Sequence, residues 1–270
     1  MEKQTAGFSE DSLIRAIESN GEEFLVTLGR AAGAEERNEP GVRWVIGEIP
    51  VDYHICVVRA ELSLGEADGA ILESLERFRS LGMPGSWHVG PSMRPADIGE
   101  RLLAHGFSYG GDDIGMAADL SALREDLPVP DDLEIERVRD DSTLTTWKDT
   151  LARGFGEGPA EAEWVGEMYR RLGLGDDGPR RHYLGRLHGE PVATSTLFLG
   201  AGVAGVYFVF TVEQARRRGV GAVLTLAPLT AAREMGYRIG VLGSSKMGFP
   251  VYRRLGFREH CRIGVYEWHP

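Results

Sequence analysis

The segment RRRGVGA at residues 216–222 has the residue types and the spacing of an anion-binding site. It directly follows the apolar stretch GVYFVFTV (205–212) and precedes a stretch with helical periodicity. Glycines at 219 and 221 would let a ligand approach the backbone, and the unpaired amides and the dipole of a helix start attract negative charge. Three arginines strengthen that attraction. The pattern therefore predicts a phosphate site on this loop.

Two other phosphate motifs do not fit the same letters. A dinucleotide fingerprint requires a small residue where Leu224 stands and an acidic residue about twenty positions further on, but residues 238–249 contain none. A nucleoside triphosphate loop requires Gly-Lys-Ser/Thr, and no lysine occurs between Lys148 and Lys246. An exposed basic helix start without a ligand remains the alternative.

The segment resembles motif A of the GNAT superfamily of N-acetyltransferases, in which Gln/Arg-x-x-Gly-x-Gly/Ala follows the fourth strand. Arg216, Gly219 and Gly221 match this motif. The resemblance implies that acetyl-coenzyme A is the cosubstrate and that the fourth and fifth strands splay apart. The implied contacts are the amides of Arg217, Arg218, Gly219, Val220, Gly221 and Ala222 for the pyrophosphate, and the backbone of Phe210, Thr211 and Val212 for the pantetheine arm.

A second resemblance lies in SSKMGFPVYRRLGF at residues 244–257, which is similar to the family's motif B ending in Tyr-x-x-x-Gly-Phe. The resemblance implies that Tyr252 is catalytic. A phenol near the departing thiolate can act as a general acid, which typically contributes about 100- to 10,000-fold to the rate. Packing of an aromatic ring against the sheet is the alternative for Tyr252. Ser245 stands where the family often has an asparagine that contacts the pantetheine.

The family's carboxylate early in the fourth strand has no counterpart, because residues 202–206 read GVAGV. A chain of waters, an acceptor amine that arrives neutral, Tyr207 or Glu213 could take the proton instead. The sequence does not choose among them.

The elements that would position these residues follow from hydrophobic periodicity and turn residues. Helices are predicted at 9–30, 67–81, around 102, 142–155, 160–172, 219–236 and 250–255. Strands are predicted at 42–46, 54–59, 86–90, 116–120, 133–138, 181–187, 192–199, 205–212, 238–243 and from 257. The mixture predicts an α/β fold.

A length of 270 residues favours two domains. The acidic, proline-bearing stretch at 124–132 lacks an apolar pattern and is typical of a linker. The predicted organisation is a first domain at 1–125, a linker at 126–132 and a catalytic domain at 133–270.

The two halves end in the same order of helix, glycine, strand, helix, Gly-Phe and strand. This repetition predicts two tandem GNAT-like domains, each with a mixed, mostly antiparallel central sheet flanked by helices. When Gly106-Phe107 is aligned with Gly256-Phe257, Leu102 takes the place of Tyr252. No Arg-x-x-Gly-x-Gly segment precedes the helix at 67–81, so the first domain is predicted to be a degenerate copy.

Composition limits the partners. A formal net charge of −11 argues against a nucleic-acid partner, which would require many lysine and arginine contacts. The polar, acidic amino terminus has no stretch typical of a secretion signal or a membrane span and favours the cytoplasm. Cys56 and Cys261 are far apart and expected in different domains, so neither a disulfide framework nor a metal site is predicted.

These patterns predict an N-acetyltransferase that moves acetyl from acetyl-coenzyme A to a primary amine of an unidentified small molecule or peptide. The alternative is an acyl-coenzyme A-binding sensor or interaction module without turnover, which the missing carboxylate favours. A homodimer is left open, and no membrane partner is expected.

Overall fold

The computed structural model describes residues 8–48, 55–155 and 158–270. The helices in this part of the chain are Glu10–Ala31 (α1), Ala67–Leu81 (α2), Ile98–Ala104 (α3), Asp141–Leu151 (α4), Pro159–Leu172 (α5), Val220–Glu234 (α6) and Phe249–Leu255 (α7). The strands are Glu35–Glu39 (β1), Val42–Ile46 (β2), Cys56–Ala60 (β3), Gly85–Val89 (β4), Ser108–Asp119 (β5), Leu133–Val138 (β6), Arg180–Leu187 (β7), Glu190–Gly200 (β8), Val203–Thr211 (β9), Ile239–Ser244 (β10) and Arg258–Trp268 (β11). The predicted mixed α/β class is confirmed.

The described residues form two compact units. Unit 1 contains residues 8–20 and 116–259. Its strands follow the order β5-β10-β9-β8-β7-β6, antiparallel from β6 to β9 and parallel between β9 and β10. Strand β9 has neighbours on both sides, which explains why its sequence VAGVYFVFT is apolar on both faces.

Helices cover both faces of the sheet in unit 1. Helices α4 and α5 lie on the face that carries His182, whose ring stacks on Tyr169 of α5 with 3.8 Å between the ring centroids. Helix α6 covers the other face, where a Cβ added at Gly185 would lie 2.8 Å from Leu224. The odd and even residues of β7 therefore contact different helices, as the alternation of a strand requires.

Unit 2 contains residues 21–115 and 260–270 within the described chain, and its strands follow the order β1-β2-β3-β4-β11-β5. Strands β3 and β4 are parallel, whereas β11 is antiparallel to β4. Buried side chains from β2, α2, β4 and α3, including Trp44, Phe78, Trp87 and Leu102, form its core.

Each unit contains residues from both halves of the sequence. Strand β5 contributes residues 108–115 to unit 2 and residues 116–119 to unit 1, and the last eleven residues, 260–270, belong to unit 2. Two tandem domains with a separate sheet each are therefore not confirmed. The expectation that the two cysteines lie in different domains is wrong, since Cys56 and Cys261 are both buried in unit 2 and form no disulfide bond.

Candidate functional site

The cleft between β9 and β10 is the opening on which the candidate site is built. In the described chain, parallel pairing of these strands is confined to Ala204 with Gly240 and Gly205 with Val241. Beyond Gly205, β9 continues for six residues to Thr211 while it remains paired with β8 on its other side. The predicted splay of the fourth and fifth strands is thus present, and the separated edges can accept an extended ligand between them.

A β-bulge interrupts β9 inside this opening. Thr196 lies opposite Tyr207 and Thr194 lies opposite Phe210, so two steps along β8 correspond to three along β9. Phe208, within the extra step, has a φ of 49°. A phenylalanine in this left-handed region is strained by about 1–3 kcal/mol, and bulges of this kind re-aim backbone and side chains near active sites. The apolar sequence of β9 does not predict this bulge.

The loop after β9 presents a run of unpaired backbone donors. Within the described residues, the amides of Arg217, Arg218, Gly219, Val220 and Gly221 donate to no acceptor of the chain. Arg217 has a φ of 62° and Gly219 a φ of 86°, and left-handed residues in such a turn curve successive amides into a concave anion-binding nest. Helix α6 begins at Val220, so its positive dipole end adds to the nest.

The predicted phosphate residues differ in what they can offer. The amide of Ala222 lies 3.0 Å from the carbonyl oxygen of Gly219 and is part of the first helical turn. The amide nest is therefore shorter than predicted. The side chains of Arg217 and Arg218 are exposed and form no ion pair with the described part of the chain, whereas Arg216 donates through Nε to the carbonyl oxygen of Thr211 at 3.0 Å. Arg216 thus fastens the loop to the end of β9.

The linker takes part in shaping this loop. A Cβ added at Gly219 would lie 2.6 Å from the carbonyl oxygen of Pro128, so the glycine is required both by its positive φ and by the linker backbone. The close approach predicted at this glycine therefore comes from the chain itself. A cavity of about 370 Å³ opens beside it, with Asp131, Asp132, His188 and Arg218 among its lining residues.

The residues predicted to pair with the pantetheine arm lie at the end of β9. Phe210 is buried and lies opposite Thr194 of β8. The carbonyl of Thr211 is occupied by Arg216, and the amide of Val212 donates to the carbonyl of Val192 at 2.9 Å. Two of the predicted backbone groups are therefore engaged within the chain, and the open edge of β9 begins before them.

Tyr252 and Ser245 come together at the start of α7. A Cβ at Gly248 would lie 2.8 Å from the Tyr252 ring and 3.5 Å from the Ser245 hydroxyl, so the glycine lets the ring lie against the turn. The Ser245 hydroxyl accepts a hydrogen bond from the Gly248 amide at 3.2 Å. Tyr252 is buried, and burial raises the pKa of its phenol to about 12. At neutral pH the hydroxyl therefore keeps its proton and can act as a donor.

An aromatic and polar cluster lies beneath α4 and α5. Trp147, Tyr169 and His182 are buried together, and the Trp147 ring also contacts Phe208 of the bulge at 6.1 Å between centroids. His182 Nδ1 is 3.0 Å from the hydroxyl of Thr196. Burial, with help from the cations of Arg180 and Arg137, lowers the pKa of His182 to about 3, so this imidazole is neutral at physiological pH.

Residues 203–206 of β9 carry no acid, and Glu213 is exposed in the turn after the strand. In the described part of the chain, no three His, Cys, Asp or Glu side chains are grouped so as to hold a metal ion. Among the described helices, none combines the length and the apolar character needed to cross a membrane.

A comparison with known families decides what this arrangement is. Residues 119–249 match the family described as acetyltransferase (GNAT) domain. This stretch forms a GNAT domain. It includes β9, β10 and the amide nest, while Tyr252 lies just beyond the matched residues. No curated protein sequence matches the chain significantly.

Solved structures with the same fold extend the similarity. A GCN5-related N-acetyltransferase from Kribbella flavida has a TM-score of 0.72 at 17% identity, covering 92% of this chain and 93% of that one. One from Sphaerobacter thermophilus has a TM-score of 0.59 at 16% identity, covering 77% and 70%. A tandem GNAT protein from the clavulanic acid biosynthesis pathway has a TM-score of 0.58 at 15% identity, covering 84% and 78%. These identities show a shared fold. Together with the family match at 119–249, they confirm the predicted resemblance to the GNAT superfamily.

Proposed function

We propose that the chain transfers an acetyl group from acetyl-coenzyme A to a primary amine. The family suggests acyl transfer from an acyl-coenzyme A. The observation that carries the proposal is the nest of five amides, 217–221, after the end of β9. Within residues 8–48, 55–155 and 158–270 these amides have no acceptor, and the exposed side chains of Arg217 and Arg218 form no ion pair.

The residues of this site fit acetyl-coenzyme A. A pyrophosphate requires several converging N–H donors and positive charge, which the nest, the start of α6 and the guanidinium groups of Arg217 and Arg218 supply. The pantetheine arm requires backbone groups along an open strand edge, which β9 offers beyond Gly205. Acetyl-coenzyme A supplies an acyl thioester whose carbonyl carbon can be attacked.

The chain's own groups position and assist this attack. The amine nitrogen forms a bond to the acyl carbon, the carbon–sulfur bond breaks, and the nitrogen loses a proton to solvent or to a nearby base. Tyr252 donates a hydrogen bond to the departing sulfur. Because burial raises the pKa of Tyr252 to about 12, stabilisation of the developing thiolate contributes more than complete proton transfer.

A second candidate is an acyl-coenzyme A-binding sensor or interaction module without turnover. The absence of an acid from residues 203–206 favours it, since no carboxylate there can take the proton. Tyr252 favours the enzyme, because a buried donor at the turn that follows β10 has a clear task in expelling a thiolate and none in storing a cofactor.

The broader proposal is a chain of two related GNAT-like halves, only the second of which is active. Its support is that α2-β4-α3-β5 repeats the order α6-β10-α7-β11, and that the strand before each set is parallel to the strand within it. The acceptor class is a small molecule or a peptide with a primary amine. A cytoplasmic location and a homodimer are further parts of the proposal that require their own tests.

Calorimetric titration of acetyl-coenzyme A into the protein is the test. We expect one site, weakened at least about tenfold when Arg217 and Arg218 are both replaced by alanine, because each loses a charge-assisted contact to phosphate. Arg170→Ala, which removes an exposed arginine that pairs with Glu167 on α5, is the matched control. Absence of binding at millimolar ligand contradicts both candidates, whereas binding without thiol release in an amine screen favours the sensor.

A further inference from the structure

Gly205 lies where β9 parts from β10, and its backbone does not explain why it is a glycine. Its φ is outside the left-handed region, so an alanine could adopt the same backbone. The space is what excludes a side chain, because a Cβ at this position would lie 2.0 Å from Oδ1 of Asn20 and 2.6 Å from the ring of Tyr207. The place that a side chain of β9 would take is filled by Asn20 of α1.

The carboxamide of Asn20 has one fixed orientation. Its Nδ2 donates to the carbonyl oxygen of Gly200 at 2.9 Å, and since a carbonyl has no hydrogen to give, the amide nitrogen must face Gly200. Oδ1 therefore faces Tyr207 and accepts the hydrogen bond of its hydroxyl at 2.7 Å. Asn20 is fully buried, so this amide belongs to the interior of unit 1.

The hydrogen bond to Asn20 decides what the Tyr207 hydroxyl can do. A phenol that gives its proton to a carboxamide can only accept from any further partner, including an N–H group. Tyr207 is half-buried and lies directly before the strained Phe208. It is two residues beyond Gly205, the last residue of β9 that pairs with β10. It thus lies near the inner end of the cleft, where β9 and β10 part, on the sheet face that also carries Thr196 and Phe198.

We propose that Asn20 stands in for the missing side chain of β9 and holds the Tyr207 oxygen so that it accepts a hydrogen bond from an N–H of the acceptor amine. This inference rests on the proposed transfer to an amine. Tyr207 contacts the acceptor, and Asn20, which acts through Tyr207, is a positioning residue. An asparagine near the amino terminus thereby becomes part of amine recognition by the GNAT domain.

The test measures the protein-dependent rate of thiol release from acetyl-coenzyme A with hydroxylamine as the amine probe, after subtraction of the spontaneous reaction between hydroxylamine and the thioester. The calorimetric affinity for acetyl-coenzyme A is measured alongside. We expect Tyr207→Phe and Asn20→Ala each to lower kcat/KM for hydroxylamine at least about tenfold, while the Kd of acetyl-coenzyme A changes less than about twofold. The control is Tyr183→Phe. Tyr183 follows His182 on β7 and therefore lies on the other sheet face, so this variant should keep the wild-type kcat/KM and Kd.

The possible results distinguish failure of this inference from failure of the proposed acetyl transfer. Absence of acetyl-coenzyme A binding by the wild type, or binding with thiol release neither with hydroxylamine nor in the amine screen, removes the proposed function and the inference with it. Wild-type turnover with unchanged kcat/KM in Tyr207→Phe overturns the inference alone. If Asn20→Ala raises the KM of acetyl-coenzyme A as much as that of hydroxylamine, Asn20 only anchors α1 and its positioning role is refuted.

Discussion

The hydroxyl of Thr194 donates a hydrogen bond to the carbonyl oxygen of Phe208 at 2.9 Å, across the bulge of β9. Phe208 is the residue of this strand whose φ is positive, at 49°. A side chain of β8 therefore holds the strained backbone of its neighbour at the edge of the cleft between β9 and β10. Strain of this kind persists only where the surroundings fix it.

Replacement of Thr194 by valine keeps the shape of the side chain and removes the hydrogen bond. We expect the free energy of unfolding to fall by about 1–2 kcal/mol and the affinity for acetyl-coenzyme A to fall with it, because the bulge is no longer held. Denaturant unfolding and calorimetry measure the two effects. Thr150→Val removes a similar bond at 2.7 Å within α4 and should reduce stability alone; an unchanged affinity in Thr194→Val would contradict the role of the bulge.

Gly219→Ala tests the contact between the linker and the amide nest. Gly219 and Gly189 have similar φ values of 86° and 80°, but only Gly219 has a neighbour, the carbonyl oxygen of Pro128, where a Cβ would go. We expect Gly189→Ala to lower the free energy of unfolding by about 1 kcal/mol, through backbone strain alone. Gly219→Ala should lower it further, because the new Cβ also meets the Pro128 carbonyl. Equal losses of unfolding free energy in chemical denaturation would mean that the linker backbone at Pro128 can move away from the new side chain without a cost in stability.

Tyr252→Phe tests the donor to the departing sulfur. Removal of the hydroxyl should lower kcat by about 100-fold, the lower end of the range for general acids, because a pKa of about 12 limits transfer of the proton. The affinity for acetyl-coenzyme A should stay within about twofold. Since its pKa is raised, Tyr252 should remain protonated up to about pH 11. Below that pH, deprotonation of Tyr252 should therefore cause no loss of kcat. Tyr237→Phe, after α6, is the control, and full activity of Tyr252→Phe would remove the residue from the mechanism.

His182 should make the stability of the protein sensitive to acid. Its pKa falls from 6.5 to about 3 on burial, so the unfolded chain takes up a proton that the folded chain refuses. The stabilising effect is complete above pH 6.5 and is lost as the pH falls toward 3, by up to about 1.4 kcal/mol per pH unit. His182→Asn should show a shallower decline between pH 6 and pH 4 in denaturant titrations than the wild type or His188→Asn, a variant of an exposed histidine. If the free energy of unfolding fell in parallel for all three proteins as the pH is lowered, His182 would take up its proton in the folded protein as readily as in the unfolded chain.

The local structure of the loop at 216–222 could be predicted because its signal is local. Arginines and glycines within seven positions determine a turn, a helix start and a set of unpaired amides, and all three are present at 216–222. Strand β1 was missed because its sequence, EERNE, is polar throughout and has no apolar alternation. It forms because β2 offers it a partner, which is information outside the segment.

The parts of the site that could not be predicted depend on distant partners. Asn20 and Tyr207 are 187 positions apart, and nothing in either neighbourhood indicates that they meet. The bulge at Phe208 arises from the register of β8 against β9 and leaves no mark in an apolar sequence. The same applies to Gly219, whose glycine was attributed to a ligand although the Pro128 carbonyl occupies the space.

The composition of unit 1 limits how this gene could have been assembled or could be divided. A fragment that begins at residue 133 would carry the whole nest and Tyr252, yet it would lack residues 8–20 and 116–132, which belong to the same unit. It would also carry residues 260–270 without the rest of unit 2. Recombination at the linker would therefore produce two incomplete proteins. We expect the two halves of the gene to be inherited and exchanged together.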